Sequence, residues 1–131
     1  MKISAHGLDL TIELDKPDKE GWIQCALNIQ VPNFSSNFSC GIQLNEFRDL
    51  LAKLMELQSK VGSDHNVNWG NTEENIDLSL KLNKMGQIEG SFQFSAMGYC
   101  HGTTLAGDFS ADQSYISLWL SQVKQDLDNV S

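Results

Sequence analysis

Basic residues are scarce in this chain. Lys and Arg number 9 against 17 Asp and Glu among 131 residues, giving a formal net charge of -8 at pH 7. Such a surface repels phosphate backbones and argues against nucleic acid as a direct partner. It suits solubility, and equally the attraction of a basic protein. Cysteine is sparse too. Cys25, Cys40 and Cys100 make an odd count with no paired spacing, and the first two fall in the apolar register of strands, where a thiol behaves as a small hydrophobe. That usage predicts a reducing compartment rather than disulfide staples. Long hydrophobic runs are missing: no stretch approaches the ~20 apolar residues of a membrane span, and Met1 to Gly7 has no apolar core of signal-peptide length. The expectation is a cytoplasmic protein without membrane contact. A hydrophobic content of 40% with 20% charged residues is ordinary globular composition, and the length fits one domain over residues 1–131.

Chemistry-bearing constellations are also lacking. His6, His65 and His101 lie far apart, and none keeps a metal-ligand spacing with a cysteine or carboxylate. Cys100-His101 is one adjacency of a thiol and a base, but neighbouring residues in an extended segment point to opposite faces. Glu73, Glu74 and Asp77 gather acid near Asp64; without a visible cleft they read as a solvated face. Gly98, Gly102 and Gly107 are spread through strands and turns and build no phosphate cradle, while Gly90 and Gly107 inside strand patterns predict bulges or close packing. Tyr99 and Trp22 are candidates for exposed aromatics, a weak signal because tryptophans often cover sheet faces. No catalysis, metal or cofactor is expected.

What is present is alternation. Leu8, Leu10, Ile12 and Leu14 alternate with polar residues, preceded by a short strand at Ile3 and Ala5 and a tight turn at His6-Gly7. Ile23, Cys25, Leu27, Ile29 and Val31 form the next apolar face, which Pro32 ends because it brings no N–H. After a loop from Asn33 to Asn37, Phe38, Cys40, Ile42 and Leu44 alternate again. The period then turns helical through Phe47, Leu50, Leu51, Leu54, Gln58 and Val61, predicting a helix from about Glu46 to Val61, capped by Asn45 and stopped at Gly62. Gly62 to Glu74 reads as the least regular stretch, a divider or a long surface loop. Trp69 within it either plugs the core edge or stands exposed, and the usual burial of large aromatics favours the plug.

The second half repeats the plan. Ile76, Leu78, Leu80 and Leu82 alternate, Asn83 to Gly86 reads as a hairpin with a left-handed Gly86, and Ile88, Phe92, Phe94 and Ala96 return. A strand from Thr103 to Phe109 leads into a helix with Ile116, Trp119, Leu120, Val123 and Leu127 on one stripe, and Ser110 followed by Gln113 matches a capping box. The expected fold is α+β: a largely antiparallel sheet of about six strands with two amphipathic helices, in the order βββ-α-βββ-α.

Several of these words together resemble a known family. Trp69 to Leu80, Gly86-Gln87-Ile88-Glu89-Gly90, Leu105 to Phe109, and Asp112 to Trp119 are similar in layout to WapI-type bacterial immunity proteins and a related bacterial family. Asn45-Glu46-Phe47, opening a helix after a strand, is compatible with them. The resemblance implies a small cytoplasmic antitoxin that binds and blocks the toxic C-terminal domain of a contact-delivered effector. Such effectors are often nucleases with basic surfaces. It transfers no residue-level binding map.

The contacts expected from the sequence are Asp64, His65, Asn68, Glu73, Glu74 and Asp77, since loops on a rigid scaffold carry recognition and acid would steer a basic toxin. The partner would be a protein, with the chain itself a monomer or weak dimer. A secretion or adaptor chaperone is the alternative, being also small, acidic and α+β; type III secretion chaperones begin with a helix, however, and this chain begins with strands. A small interaction domain of other purpose is a further reading, and an enzyme has no activated nucleophile or ligand set to support it.

Overall fold

The computed structural model describes residues 1–97 and 102–130. Two four-stranded antiparallel sheets are each followed by one helix. The first sheet runs in the order β1 (Lys2–Ala5), β2 (Leu8–Leu14), β3 (Trp22–Val31) and β4 (Phe34–Gln43), and leads into α1 (Leu44–Ser59). The second contains β5 (His65–Gly70), β6 (Ile76–Leu82), β7 (Gln87–Ser95) and β8 (Thr104–Asp112), and leads into α2 (Ser114–Val130). The α+β class and the strands-then-helix order are those expected, with eight strands in two sheets in place of about six in one. The added strand of the second half is β5, which occupies the middle of the stretch read as irregular.

Strict alternation explains the faces. Ile23, Cys25, Leu27 and Ile29 of β3 are all buried while Gln24, Ala26, Asn28 and Gln30 are exposed, the pattern of a sheet with one wet side. Pro32 and Asn33 form the two-residue turn into β4, Asn33 taking a φ of 71°. β4 therefore starts at Phe34, inside the segment expected to be loop. Asn83 to Gly86 makes the expected hairpin turn with Gly86 at a φ of 82°, and Asn83 Oδ1 accepts from the N–H groups of Met85 and Gln87, each at 3.0 Å.

Both helices bury one stripe: Phe47, Leu50, Leu54 and Leu57 in α1, and Ile116, Trp119, Val123 and Leu127 in α2. α1 begins earlier than expected because Glu46, not Asn45, organises its start, its Oε2 accepting from the Gln43 N–H at 2.8 Å. The capping box expected from Ser110 and Gln113 does not form. Ser110 remains in β8 and exchanges two 2.9 Å backbone hydrogen bonds with His6, so the strand runs on to Asp112. Asp112 then caps α2, its Oδ1 accepting from the Ser114 N–H at 2.8 Å and from the Ser114 hydroxyl. Those two bonds hold its carboxyl below the usual carboxylate range.

Each helix leans on the other half's first strand. α1 packs on β5, α2 packs on β1, and the two helices pack on each other. Trp69 of β5 is 3% exposed and donates its Nε1–H to the Glu46 carbonyl of α1 at 2.8 Å. Trp119 of α2 donates to the Ser4 carbonyl of β1 at 3.1 Å. Trp69 is thus a core plug, its polar edge satisfied.

Gly90 and Gly107 show why glycine interrupts two strands. Gly90 lies opposite Phe109 and Gly107 opposite Phe92 in the β7–β8 register. A Cβ at Gly90 would stand 2.2 Å from the Phe109 ring, and one at Gly107 2.8 Å from the Phe92 ring. Gly90→Ala should therefore lower stability by about 3 kcal/mol, near the upper end of ordinary overpacking. Gly107→Ala should lower it less, an order that urea denaturation of the two variants will check.

Candidate functional site

The outer face of the second sheet is built from the residues that alternate with its core. Register sets three rows across the four strands: Gly70, Asp77, Gln93 and Ala106; Asn68, Ser79, Ser91 and Asp108; Asn66, Lys81, Glu89 and Ser110. The serines of the middle row are short, so the face is hollowed where they lie. A depression of about 460 Å³ is lined by Ser79, Lys81, Glu89, Ser91 and Asp108, and an adjoining one of about 400 Å³ by Asp77, Ser79, Ser91, Gln93, Ala106 and Asp108. Asp77, Glu89 and Asp108 are exposed around it and Lys81 is the one basic residue in the three rows, so the hollow has a negative rim.

The β5–β6 turn borders this face at the Gly70–Asp77 end and is fixed in place from within. Asn71 and Asn75 are 7% and 5% exposed. Asn71 Oδ1 accepts from the N–H groups of Asn75 and Ile76, both at 2.9 Å. Its amide donates to Asn75 Oδ1 at 3.0 Å and to the Gly41 carbonyl of the other sheet at 3.3 Å. Asn75 in turn donates to the Ser95 and Ala96 carbonyls at 2.9 and 3.3 Å. On the other side of the turn, Glu46 Oε1 accepts from both the N–H and the hydroxyl of Thr72. Buried amides satisfied in this way hold a single arrangement. Glu73 and Glu74 stand exposed at the tip, Glu74 with a φ of 60°.

The six residues expected to make contacts are distributed along β5 and beyond it. Asn68 and Asp77 share the outer face, where Asn68 Oδ1 accepts from the Ser79 hydroxyl at 3.0 Å. Glu73 and Glu74 lie at one end of the strand. Asp64 precedes the other end, and His65 turns to α1, its Nε2 3.5 Å from Glu56 Oε2. Glu89 and Asp108 were not singled out from the sequence; only the strand register brings them onto the same face as Asp77. Cys100-His101, Tyr99 and Gly98 lie outside the described residues. Trp22 is half-buried, its ring lying over the position where Gly41 has no side chain.

Among the described residues no group of three or more His, Cys, Asp or Glu is placed to hold a metal ion, and no helix is long and apolar enough to cross a membrane. Cys25 and Cys40 are register partners on β3 and β4, and both are free and buried. Burial, helped by the neighbouring Cys40 and by Asp15, pushes the Cys25 thiol up to about 12. Burial, with Glu46 and Glu73, pushes Cys40 up to about 11. Both thiols stay protonated in the fold while an unfolded thiol ionises near 9, so their contribution to stability is intact below pH 9 and is lost as pH rises from 9 through 11 to 12. Each should add up to about 1.4 kcal/mol per pH unit of loss in that window. Urea titrations at several alkaline pH values should show a shallower decline for Cys25→Ala than for the parent.

A twice-repeated four-strand-and-helix unit, hydrogen-bonded across its halves and carrying an acid-rimmed polar hollow, defines an α+β protein. The chain belongs to the immunity protein WapI-like family, whose model matches residues 2–131. A crystal structure of WHY1 from Arabidopsis thaliana is similar in fold, with a TM-score of 0.50 over 99% of this chain and 88% of that one at 9% sequence identity. No curated protein matches the sequence.

Proposed function

We propose that this immunity-family protein neutralises a cognate, contact-delivered toxin domain in the cytoplasm by binding it, without catalysis, through the acidic outer face of the second sheet and the adjoining β5–β6 turn. The carrying observation is that Asp77, Glu89 and Asp108 rim two adjoining shallow hollows on one sheet face, Asp108 lining both, near Glu73 and Glu74 on a turn pinned by buried asparagines. Preorganised carboxylates of one sign steer and register a basic partner, and a toxin that acts on nucleic acid offers such a surface. Asn68 extends the contact across the sheet. Asp64 and His65, about 20 Å away along β5, are reached by a partner broad enough to span the strand.

The test is to mix the purified protein with the product of the gene beside its own, using the C-terminal domain where that gene encodes a large secreted protein, then measure both binding and inhibition. A complex at or below micromolar concentration with loss of toxin activity is expected. No complex at micromolar concentration would sink the pairing.

A further inference from the structure

The four sheet edges are treated differently. β1 and β8 meet at the His6–Ser110 bridge. β5 is short and blocked by Lys53, whose Nζ donates to the Asn68 carbonyl. β4 is the exception. It is ten residues long, has no proline or bulge, and pairs on one side only. The Pro32–Asn33 turn makes Val31 and Phe34 a hydrogen-bonded pair, so Phe34, Ser36, Phe38 and Cys40 direct their backbone groups toward β3. Ser35, Asn37, Ser39 and Gly41 direct theirs outward, as the Gly41 carbonyl confirms by accepting from Asn71. Among the described residues, nothing bonds to the outward N–H or C=O of Ser35, Asn37 or Ser39. Phe34 is 66% exposed beside them.

Charge selects the occupant. In a chain that is 20% charged, no Asp, Glu, Lys, Arg or His occurs from Trp22 to Gln43, so the edge strand and the strand behind it are both neutral. Natural edges are normally guarded by charge, proline, bulges or cover; among the described residues the β5–β6 turn, through Asn71 and Glu73, reaches only the Ser39–Gly41 end of this one, and the rest has none. A basic partner gains nothing from a neutral edge. Two copies carrying -8 each repel over most of their surfaces, and this hairpin is where they can meet without like charges opposed. We propose that β4 is the seam of a two-fold dimer, in which residues 34–40 pair antiparallel with the same residues of a second copy about an axis at Asn37. Ser35 then faces Ser39 of the second copy, the outward N–H and C=O groups of Ser35, Asn37 and Ser39 are satisfied, and Phe34 is covered. The contact is self-complementary, as two-fold symmetry requires, and its axis lies on the sheet that does not carry the acidic hollow.

Sedimentation velocity on the intact chain from about 1 µM to about 500 µM, the range in which a small interface associates, tests this. The weight-average mass should rise toward twice the monomer value. Asn37→Lys, which sets two like charges opposite each other on the axis, should weaken association at least about tenfold with unchanged melting at low concentration. Asn37→Pro, whose lost N–H faces outward, should do the same, so either variant decides if the other fails to fold. Leu118→Lys, on an exposed residue of α2, should leave the dimer intact. A monomer throughout the range, a dimer indifferent to both Asn37 variants, or one abolished by Leu118→Lys would overturn the proposal. Toxin binding is measured separately and does not depend on the outcome.

Discussion

Replacing Asn71 by alanine should cost about 3 kcal/mol of stability, the largest single-site loss expected for a polar residue in this protein. The side chain is small, but it makes four hydrogen bonds, three that close the β5–β6 turn on Asn75 and Ile76 and one that crosses to the other sheet. Its oxygen accepts from two consecutive N–H groups, those of Asn75 and Ile76, and its amide ties the turn to Gly41 in the other sheet. Alanine leaves two buried donors without an acceptor, at about 1–3 kcal/mol each and so about 2–6 together, and partial entry of water keeps the total in the lower half of that range. Urea denaturation should show the midpoint falling with little change in slope. A loss below about 1 kcal/mol would mean that the freed donors are solvated and the turn is looser than its hydrogen bonding implies. The same variant should bind toxin more weakly, because Glu73 and Glu74 lose their fixed position.

Converting Glu73, Asp77 and Asp108 together to lysine should weaken toxin binding by about 100-fold or more, chiefly through slower association, while leaving the melting temperature nearly unchanged. All three side chains are exposed, and exposed substitutions ordinarily change stability by less than about 0.5 kcal/mol. Their removal reverses the field that steers a basic partner, an effect worth about 10- to 1,000-fold in rate and strongest at low ionic strength. Glu89 is best left in place, since Lys81 lies directly opposite it and a second lysine there would repel the first across the sheet. Stopped-flow association at two salt concentrations separates the outcomes. A large drop in melting temperature would assign these carboxylates to the fold, and unchanged association would move the contact surface elsewhere.

Long alternating segments were legible from residues alone, because Leu8 to Leu14 and Ile23 to Val31 each carry enough apolar positions to define a face. β5 was not, since only Val67 and Trp69 mark its buried side and polar residues fill the rest. The Ser110–Gln113 capping reading failed for a different reason. Local chemistry favoured a helix start there, but His6, distant in sequence, holds Ser110 in a strand and moves the cap to Asp112. The acidic surface was half legible. Glu73, Glu74 and Asp77 are neighbours in sequence, whereas Glu89 and Asp108 join them only through the register of β6, β7 and β8.

The crossing of the helices, α1 onto β5 and α2 onto β1, has a consequence for how the molecule can be divided. A cut in the link around Gly62 would leave each fragment with a greasy helix whose cover lies on the other fragment. Each should be insoluble or unfolded alone, and the two should reassemble when mixed. The proposed neutralisation of a toxin should then need both halves together, joined or reassembled. During synthesis, α1 stays uncovered until β5 has been made, and β1 until α2 has.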